Sequence, residues 1–325
     1  MRRSHRAAAL VVAASLVGGC ALPHHKDLGD QSKRGVSVTG AASVLSHYNR
    51  ALADIDANLD ASALPEIETG SMLVLDQSAD RIKQRLGLTT QRLELAPSAE
   101  FMVDRFDSYP LWFVAVSKAA GQDQQVAAVF TRASSTAPWR VAAAPRMAAT
   151  TKIPDLALRD DGTAIRFDTS AESPVWSDGE ASRLPKTPQQ IADDYASVLT
   201  SPDSDAAKDF VKDSFISQMR DLRAAQPTTN VTFTQSWKAA SVKYVLRLFD
   251  GGALMFVTLN RTDSYQVEAG HMLQFRGSEA GAYLTQPVHR SARLNYQHQV
   301  LMLVPAKGLP LVIGQYGGLV AATGS

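Results

Sequence analysis

"LFDGGALMFVTLN", residues 248–260, decides the fold. Asp250-Gly251-Gly252 interrupts two runs rich in Leu, Val and Phe. Glycine supplies the positive φ that a tight antiparallel turn demands, so the flanking runs read as a hairpin. Further strand-like runs surround it: "VTFTQSWKA" and "KYVLRLF" before, then "GHMLQFR", "NYQHQVLMLVP" and "LPLVIGQYGGLV" after. Ahead of these strands the apolar period lengthens to that of a helix, over Pro188 to Thr200 and Ser204 to Ala225. Pro188 suits a first helical turn and Ser204 an N-cap.

The same succession occurs earlier in the chain. Val44, Tyr48 and Leu52 share one helical face, and Ile191, Tyr195 and Leu199 repeat them 147 residues on. Met72 and Leu75 keep that offset with Met219 and Leu222. "LWFVAVS" (111–117) matches "LMFVTLN" (254–260) at an offset of 143. Helices are expected over Ala42 to Asp60 and Leu64 to Leu86, then strands over "AEFMVDRF", "LWFVAVSK", "QQVAAVFTR" and "WRVAAA". Helices followed by antiparallel strands imply an α+β layer with helices on one face of a curved sheet. The expectation is two tandem domains of this kind, 41–148 and 188–325. Between them, 149–187 is a turn-rich linker containing the hairpin "LALRDDGTAIRFD". Each half is similar in architecture to nuclear transport factor 2-like and cystatin-like folds, a likeness that carries no motif.

The N-terminus reads as a processing signal. Arg2, Arg3 and Arg6 form a basic head, and Ala7 to Val17 is an apolar body. At 1.5 Å per residue that body crosses only about half of a ~30 Å hydrocarbon core, so it is a signal peptide rather than a membrane span. "LVGGC" (16–20) resembles the lipobox of bacterial lipoproteins. That resemblance implies cleavage between Gly19 and Cys20, an S-diacylglyceryl, N-acylated Cys20, and a lipid anchor on the outer face of the cell membrane. Residues 20–40 are then the lipidated N-terminus and a flexible tether. Ser4-His5-Arg6 departs from the twin-arginine pattern after Arg2-Arg3, which favours the general secretory route.

Composition closes off other classes. Cys20 is the single cysteine, so the mature chain has no thiol for a cysteine nucleophile, a thiolate zinc site or a redox pair. Removing three arginines with residues 1–19 leaves a formal net charge of −2, with no basic excess for nucleic acid. "DIDANLD" (54–60) opens like a calcium loop but has Leu59 and Pro65 where glycine and glutamate are required, and His24-His25 lacks further ligands, so no metal or other cofactor is assigned. No G-x-S-x-G or H-E-x-x-H pattern occurs. His271 and His298 fall in expected strands, and Trp112, Trp139, Trp176 and Trp237 are candidates to line a pocket in the cone's open end, Trp237 with His271 foremost and Trp112 and Trp237 alternatively read as core fillers.

The lipobox, the alanine-rich composition and the order of helices, strands, "ALRDDGTAIRF" hairpin, helices and "LFDGGALMF" strands together resemble uncharacterised secreted lipoproteins of high-GC Gram-positive bacteria. The resulting expectation is a non-catalytic binding module of the envelope, holding a protein or small ligand. Two alternatives stay open: an envelope hydrolase or isomerase with His271 or a buried carboxylate as base, and a structural accessory of a membrane partner. The anchor has a direct test. Cys20→Ala is expected to release the protein from the membrane fraction and abolish incorporation of labelled fatty acid.

Overall fold

The strand pattern around Gly251 builds an α+β structure whose first elements lie inside the expected tether. In the computed structural model, described here for residues 32–325 except 59, 89–94, 120, 170–173 and 227–228, β1 (Lys33–Arg34) precedes α1 (Val38–Asn58). Helices α2 (Leu64–Ile67) and α3 (Gly70–Leu86) follow, then β2 (Glu100–Val103), β3 (Arg105–Phe106), β4 (Leu111–Lys118), β5 (Gln124–Arg132), β6 (Arg140–Ala143) and β7 (Arg146–Ala148). The second half comprises α4 (Pro188–Thr200), α5 (Ser214–Ala224), β8 (Val231–Ala239), β9 (Tyr244–Arg247), β10 (Ala253–Val267), β11 (Ser291–Val304) and β12 (Leu311–Gly324). Cys20, Gly19 and the rest of the signal and lipobox lie outside the described residues.

Local chemistry sets these limits. Helix α1 buries Leu45, Tyr48, Leu52 and Ile55, a three-to-four-residue stripe. Helix α4 starts with Pro188 in its first turn and a reciprocal capping box between Thr187 and Gln190. The helix expected from Leu64 to Leu86 is broken at Glu68, which is extended and bridges to Val141, with Thr69 N donating to Val141 O at 2.9 Å. The one expected from Ser204 to Ala225 is likewise broken. Phe210 is extended and buried, and Asp213 caps α5 by accepting from Ile216 N at 2.8 Å. Gly251, at φ +89°, makes the β9–β10 turn as expected. "GHMLQFR" is not a strand: only Leu273 bridges, to Val288.

The two halves do not have separate sheets. One ten-stranded sheet runs β2-β4-β5-β7-β12-β11-β10-β8, with β6 on β5 and β9 on β10. Two antiparallel meanders thus meet through their last strands, at the pairing of Arg146 with Gln315. Helices α1 to α3 cover one cluster, including Tyr48, Phe113 and Phe130. Helices α4 and α5 cover another, including Tyr195, Phe215 and Met255. A third cluster joins the halves on the reverse face, with Trp112 and Val129 from the first half against Leu254 and Leu301 from the second.

This arrangement shows what the 143-residue offset matched. Phe113 faces the first helical layer, whereas Phe256, its counterpart at that offset, faces the shared reverse cluster. A shift of one residue exchanges sheet faces, so the two strands are equivalent at an even neighbouring offset instead. The 147-residue match holds at Tyr48 and Tyr195 and fails at its end, where Leu75 is buried and Leu222 exposed. Tyr48 and Tyr195 are both buried and donate to buried carboxylates ahead of the next main helix, Glu68 at 3.2 Å and Asp213 at 2.9 Å.

The linker is part of the fold. Leu158 bridges Ala164 across the Asp160-Asp161-Gly162 turn, and Arg166 bridges Leu246 on β9. Ala164 N donates to Val103 O on β2 at 2.8 Å, and Arg247 N to Ile165 O at 2.8 Å. The segment therefore joins the two far sides of the sheet around the third cluster. Asp104 holds it there. This carboxylate, fully buried, accepts from Arg105 N at 2.6 Å and Arg166 N at 3.1 Å, and pairs with the guanidinium of Arg159 and with Arg166 Nε at 3.3 Å. Arg159 also donates to Ala164 O and to Ser177 Oγ, the latter at 2.6 Å.

Removing one partner of a buried ion pair strands the other, which costs about 3–5 kcal/mol. Asp104→Ala is accordingly expected to lower unfolding stability by about that amount in urea titration, well beyond the effect of the exposed Asp205→Ala.

Candidate functional site

The reverse face of the sheet is not filled along its whole length. Beyond the third cluster lies a groove of about 1170 Å³ bounded by both halves and the linker. Its floor is aromatic. Phe106 and Trp112 meet edge to face at 6.1 Å, and Trp112 meets Tyr244 at 5.4 Å. Along one wall β10 and β11 contribute side chains from alternate positions, which a strand places on one face. Thr258 stands opposite Gln299 and Asn260 opposite Gln297 in the register of these strands. Gln297 Nε2 donates to Asn260 Oδ1 at 3.2 Å, Thr258 shares a 3.0 Å bond with Ser71, and Gln299 Nε2 donates to Ser71 at 2.9 Å. The carboxamide oxygen of Gln297 is buried and accepts no hydrogen bond from the described residues.

The ends of two helices shape the rim. Thr69 to Ser71 open α3, and Thr187 to Gln189 open α4. Gln189 holds the bend between β8 and β9: its Oε1 accepts from Val242 N at 2.9 Å and its Nε2 donates to Ala240 O at 3.4 Å. Ionised side chains are sparse. Arg166 shares Asp104 with Arg159, and Lys243 and Asp168 also border the groove. The described lining contains no histidine. A groove lined by hydroxyls, carboxamides and the side chains of Tyr109 and Tyr244 is suited to hold and orient a polar ligand.

Of the residues expected to line a pocket, Trp112 borders the groove, whereas His271 and Trp237 lie elsewhere. His271 is exposed in the loop after the Gly270 turn, not in a strand, because "GHMLQFR" lacks a partner strand. Trp237 is buried on the helical side of β8, 5.9 Å from Phe215 and 5.0 Å from His298 between ring centres, and does not border the groove. The structure therefore does not bring the two into one pocket. Trp112 borders the groove from a largely buried position. Trp139 packs on Phe113, and Trp176 is buried against Phe167.

His298 is buried rather than poised for proton transfer. Its ring lies between Phe215 and Trp237, close to Gly317, where a β-carbon would come within 2.5 Å of Nδ1. Neither ring nitrogen has a hydrogen-bond partner among the described residues. Burial, helped by the buried Arg261 cation, lowers its pKa to about 3. Arg261 itself pairs with Asp263 at 3.1 Å and lies over the Tyr296 ring at 3.6 Å.

A smaller void of about 50 Å³ lies under α1 and α3. Its polar groups serve one another: Tyr316 donates to Asp76 at 2.7 Å, and the Arg146 guanidinium covers the Tyr316 ring at 4.2 Å. Burial, reinforced by nearby carboxylates, raises the pKa of Tyr48 and Tyr316, keeping both as neutral donors. These contacts fasten α3, whose Met72 belongs to the first helical core, to β12 of the second half.

Sequence comparison places this architecture in a family. The model of the family described as Domain of unknown function (DUF8094) matches residues 33–324, and the chain belongs to that family. Among its relatives is the uncharacterized lipoprotein SCO2278 of Streptomyces coelicolor, 24% identical over 99% of this chain and 97% of its own length. An uncharacterized lipoprotein of Streptomyces avermitilis is 25% identical over 94% of this chain and 90% of its own length. No solved structure matches. The chain thus resembles uncharacterised lipoproteins of high-GC bacteria over nearly its full length, as the sequence resemblance implied.

The buried histidine yields a pH prediction. With a folded pKa near 3 against an ordinary value of 6.5, the unfolded chain binds the extra proton between those limits. Stability from this site is therefore complete above pH 6.5 and declines as pH falls toward 3, by at most about 1.4 kcal/mol per unit. His298→Gln is expected to flatten the stability profile between pH 6.5 and 4 relative to the unmodified protein in parallel denaturant titrations.

Proposed function

We propose that the protein is a lipid-anchored envelope lipoprotein whose folded body binds a ligand, without catalysis, in the groove between its halves. Lipoprotein character is supported by the Streptomyces relatives and by the "LVGGC" signal, which also favours an outer-face location. The observation that carries the binding reading is the groove itself: about 1170 Å³, aromatic on its floor, amide-lined on one wall. His271, one of the two bases weighed for the alternative hydrolase or isomerase reading, lies on an exposed loop. Ring surface still open at Tyr109 and Tyr244 supplies affinity, and the hydroxyl and carboxamide groups of the wall supply selection.

Asn260→Trp fills the groove from its β10 wall and leaves the helical cores untouched. Native mass spectrometry of protein purified from envelopes is expected to show a noncovalent adduct on the unmodified chain and its loss in Asn260→Trp. Equal adduct in both, with the variant folded by circular dichroism, would move binding to another surface.

A further inference from the structure

One guanidinium on the groove is left unspent by the fold. A carboxylate offers about four lone-pair sites, and those of Asp104 are taken. Its Oδ1 accepts from Arg105 N at 2.6 Å and from the Arg159 guanidinium, and its Oδ2 accepts from Arg166 N at 3.1 Å and Ser177 Oγ at 3.3 Å. The side chain of Arg166 arrives as a second guanidinium beside this filled acceptor. Its Nε lies 3.3 Å from Oδ2 as an ion pair, but is buried and hydrogen-bonded to no described residue. The bonds that Arg166 donates to described residues, to Asp104 and to Ser177 Oγ, both come from its backbone. Nε is the guanidinium's one enclosed, unbonded nitrogen, so the two terminal nitrogens keep accessible surface. The side chain is 20% exposed and borders the groove, with the Phe106 ring beneath its guanidinium at 5.1 Å. We infer that the groove's ligand carries an oxyanion, a carboxylate or a phosphate, received by the terminal N–H groups of Arg166, a deepening that rests on the groove-binding reading above.

The planar N–H fork of arginine matches the paired oxygens of either group. A guanidinium already held by a ring below and a carboxylate beside it has little freedom left to lose on binding. The surrounding charge acts in the same sense. Arg166 and Lys243 border the groove against one carboxylate of the described lining, Asp168, and the buried Asp104 is matched by Arg159. One positive charge is therefore left over, in a cleft whose low-dielectric walls concentrate its field. Helix α3 opens on the same groove at Gly70 and Ser71, with no side-chain cap from Thr69 and no acidic residue in its first turn, so its dipole adds positive potential. A cationic ligand would oppose this field, and an uncharged one would leave the fork of Arg166 without a charged acceptor.

The test uses the full chain in a non-ionic detergent, titrated calorimetrically with benzyl phosphate, phenylacetate and, as the uncharged match, phenylacetamide. At least one anion is expected to bind saturably and the amide not at all, with affinity falling between about 50 and about 500 mM NaCl as salt screens the pair. The tighter of the two anions identifies the oxyanion. Arg166→Gln is expected to weaken anion binding at least about tenfold, the worth of one hydrogen bond to a charged group. Its melting temperature is expected to stay within a few degrees, because Asp104 keeps its other donors. Arg166→Lys is the second variant: it keeps the charge beside Asp104, removes the fork, and is expected to lose affinity by a smaller factor. Lys307→Gln, exposed and outside the groove, is expected to change nothing. The adduct of the envelope-purified protein is expected to carry an acidic group and to be lost in Arg166→Gln. Anion binding that the folded Arg166 variants leave intact overturns the role of Arg166. An amide bound as tightly as the acids, or a neutral adduct, either of them lost in Asn260→Trp, overturns the oxyanion and leaves the groove reading standing. Failure of all three probes, with no adduct on the envelope-purified protein, overturns both.

Discussion

Asp104 is the point on which the two halves depend. It is buried between β2 and β3, and almost all of its hydrogen-bonding capacity is directed at the linker: the backbone of Arg166 and the guanidinium groups of Arg159 and Arg166. Burial raises its pKa and the surrounding donors oppose that shift, so the carboxylate is stable as an anion only with the linker in place. Without that segment, the reverse-face cluster of Trp112, Leu254 and Leu301 would lose the cover of Ile153, Leu156 and Ala164. A charged residue with little packing value of its own thereby fixes the position of a large apolar core.

The groove is a by-product of how the sheet is covered. Helices α1 to α3 and α4 to α5 shield the outward faces of the two meanders, and the linker seals part of the reverse face. What remains open is bounded by the starts of α3 and α4 and by the bend between β8 and β9, which Gln189 ties to its helix. Helix α3 spans the junction. Its Met72 lies in the first helical core, while its Asp76 accepts from Tyr316 of β12 and its Ile82 packs with Leu294 and Leu319 of the second half. Ligand-facing residues are consequently mounted on strands and helix starts rather than on long loops, a setting that limits their motion.

Much of the fold was legible because it is local. Continuous runs of Val, Ala and Phe marked β4 and β5, and the alternation in "VTFTQSWKA" marked β8. Pro188 marked the first turn of α4. The single sheet was not legible, since the joint between halves is one register pair, Arg146 with Gln315, and carries no periodic signal. The helix breaks at Glu68 and Phe210 depend on distant partners, Val141 in one case and a buried aromatic core in the other. The groove was missed for the same reason. Ser71, Thr258 and Gln297 are ordinary residues, far apart in sequence, that acquire meaning only when β10, β11 and α3 meet. His271 and Trp237 drew attention as rare residue types, but rarity gives no information about which face a side chain occupies. An alternation count in "NYQHQVLMLVP" would have separated Gln297 and Gln299 from His298, placing the amides on the face opposite the helices.

The strand order reads nearly the same from either end, first strand to last and last strand to first. A homodimer assembled from identical halves in this way would display every surface feature twice, because a rotation axis copies whatever it acts on. Joining the halves in one polypeptide removes that obligation. The stretch between them occurs once, and so does the face it leaves uncovered. Each side of that face is then free to change by substitution without altering its counterpart, and an asymmetric occupant can be recognised by a scaffold whose framework is close to symmetric.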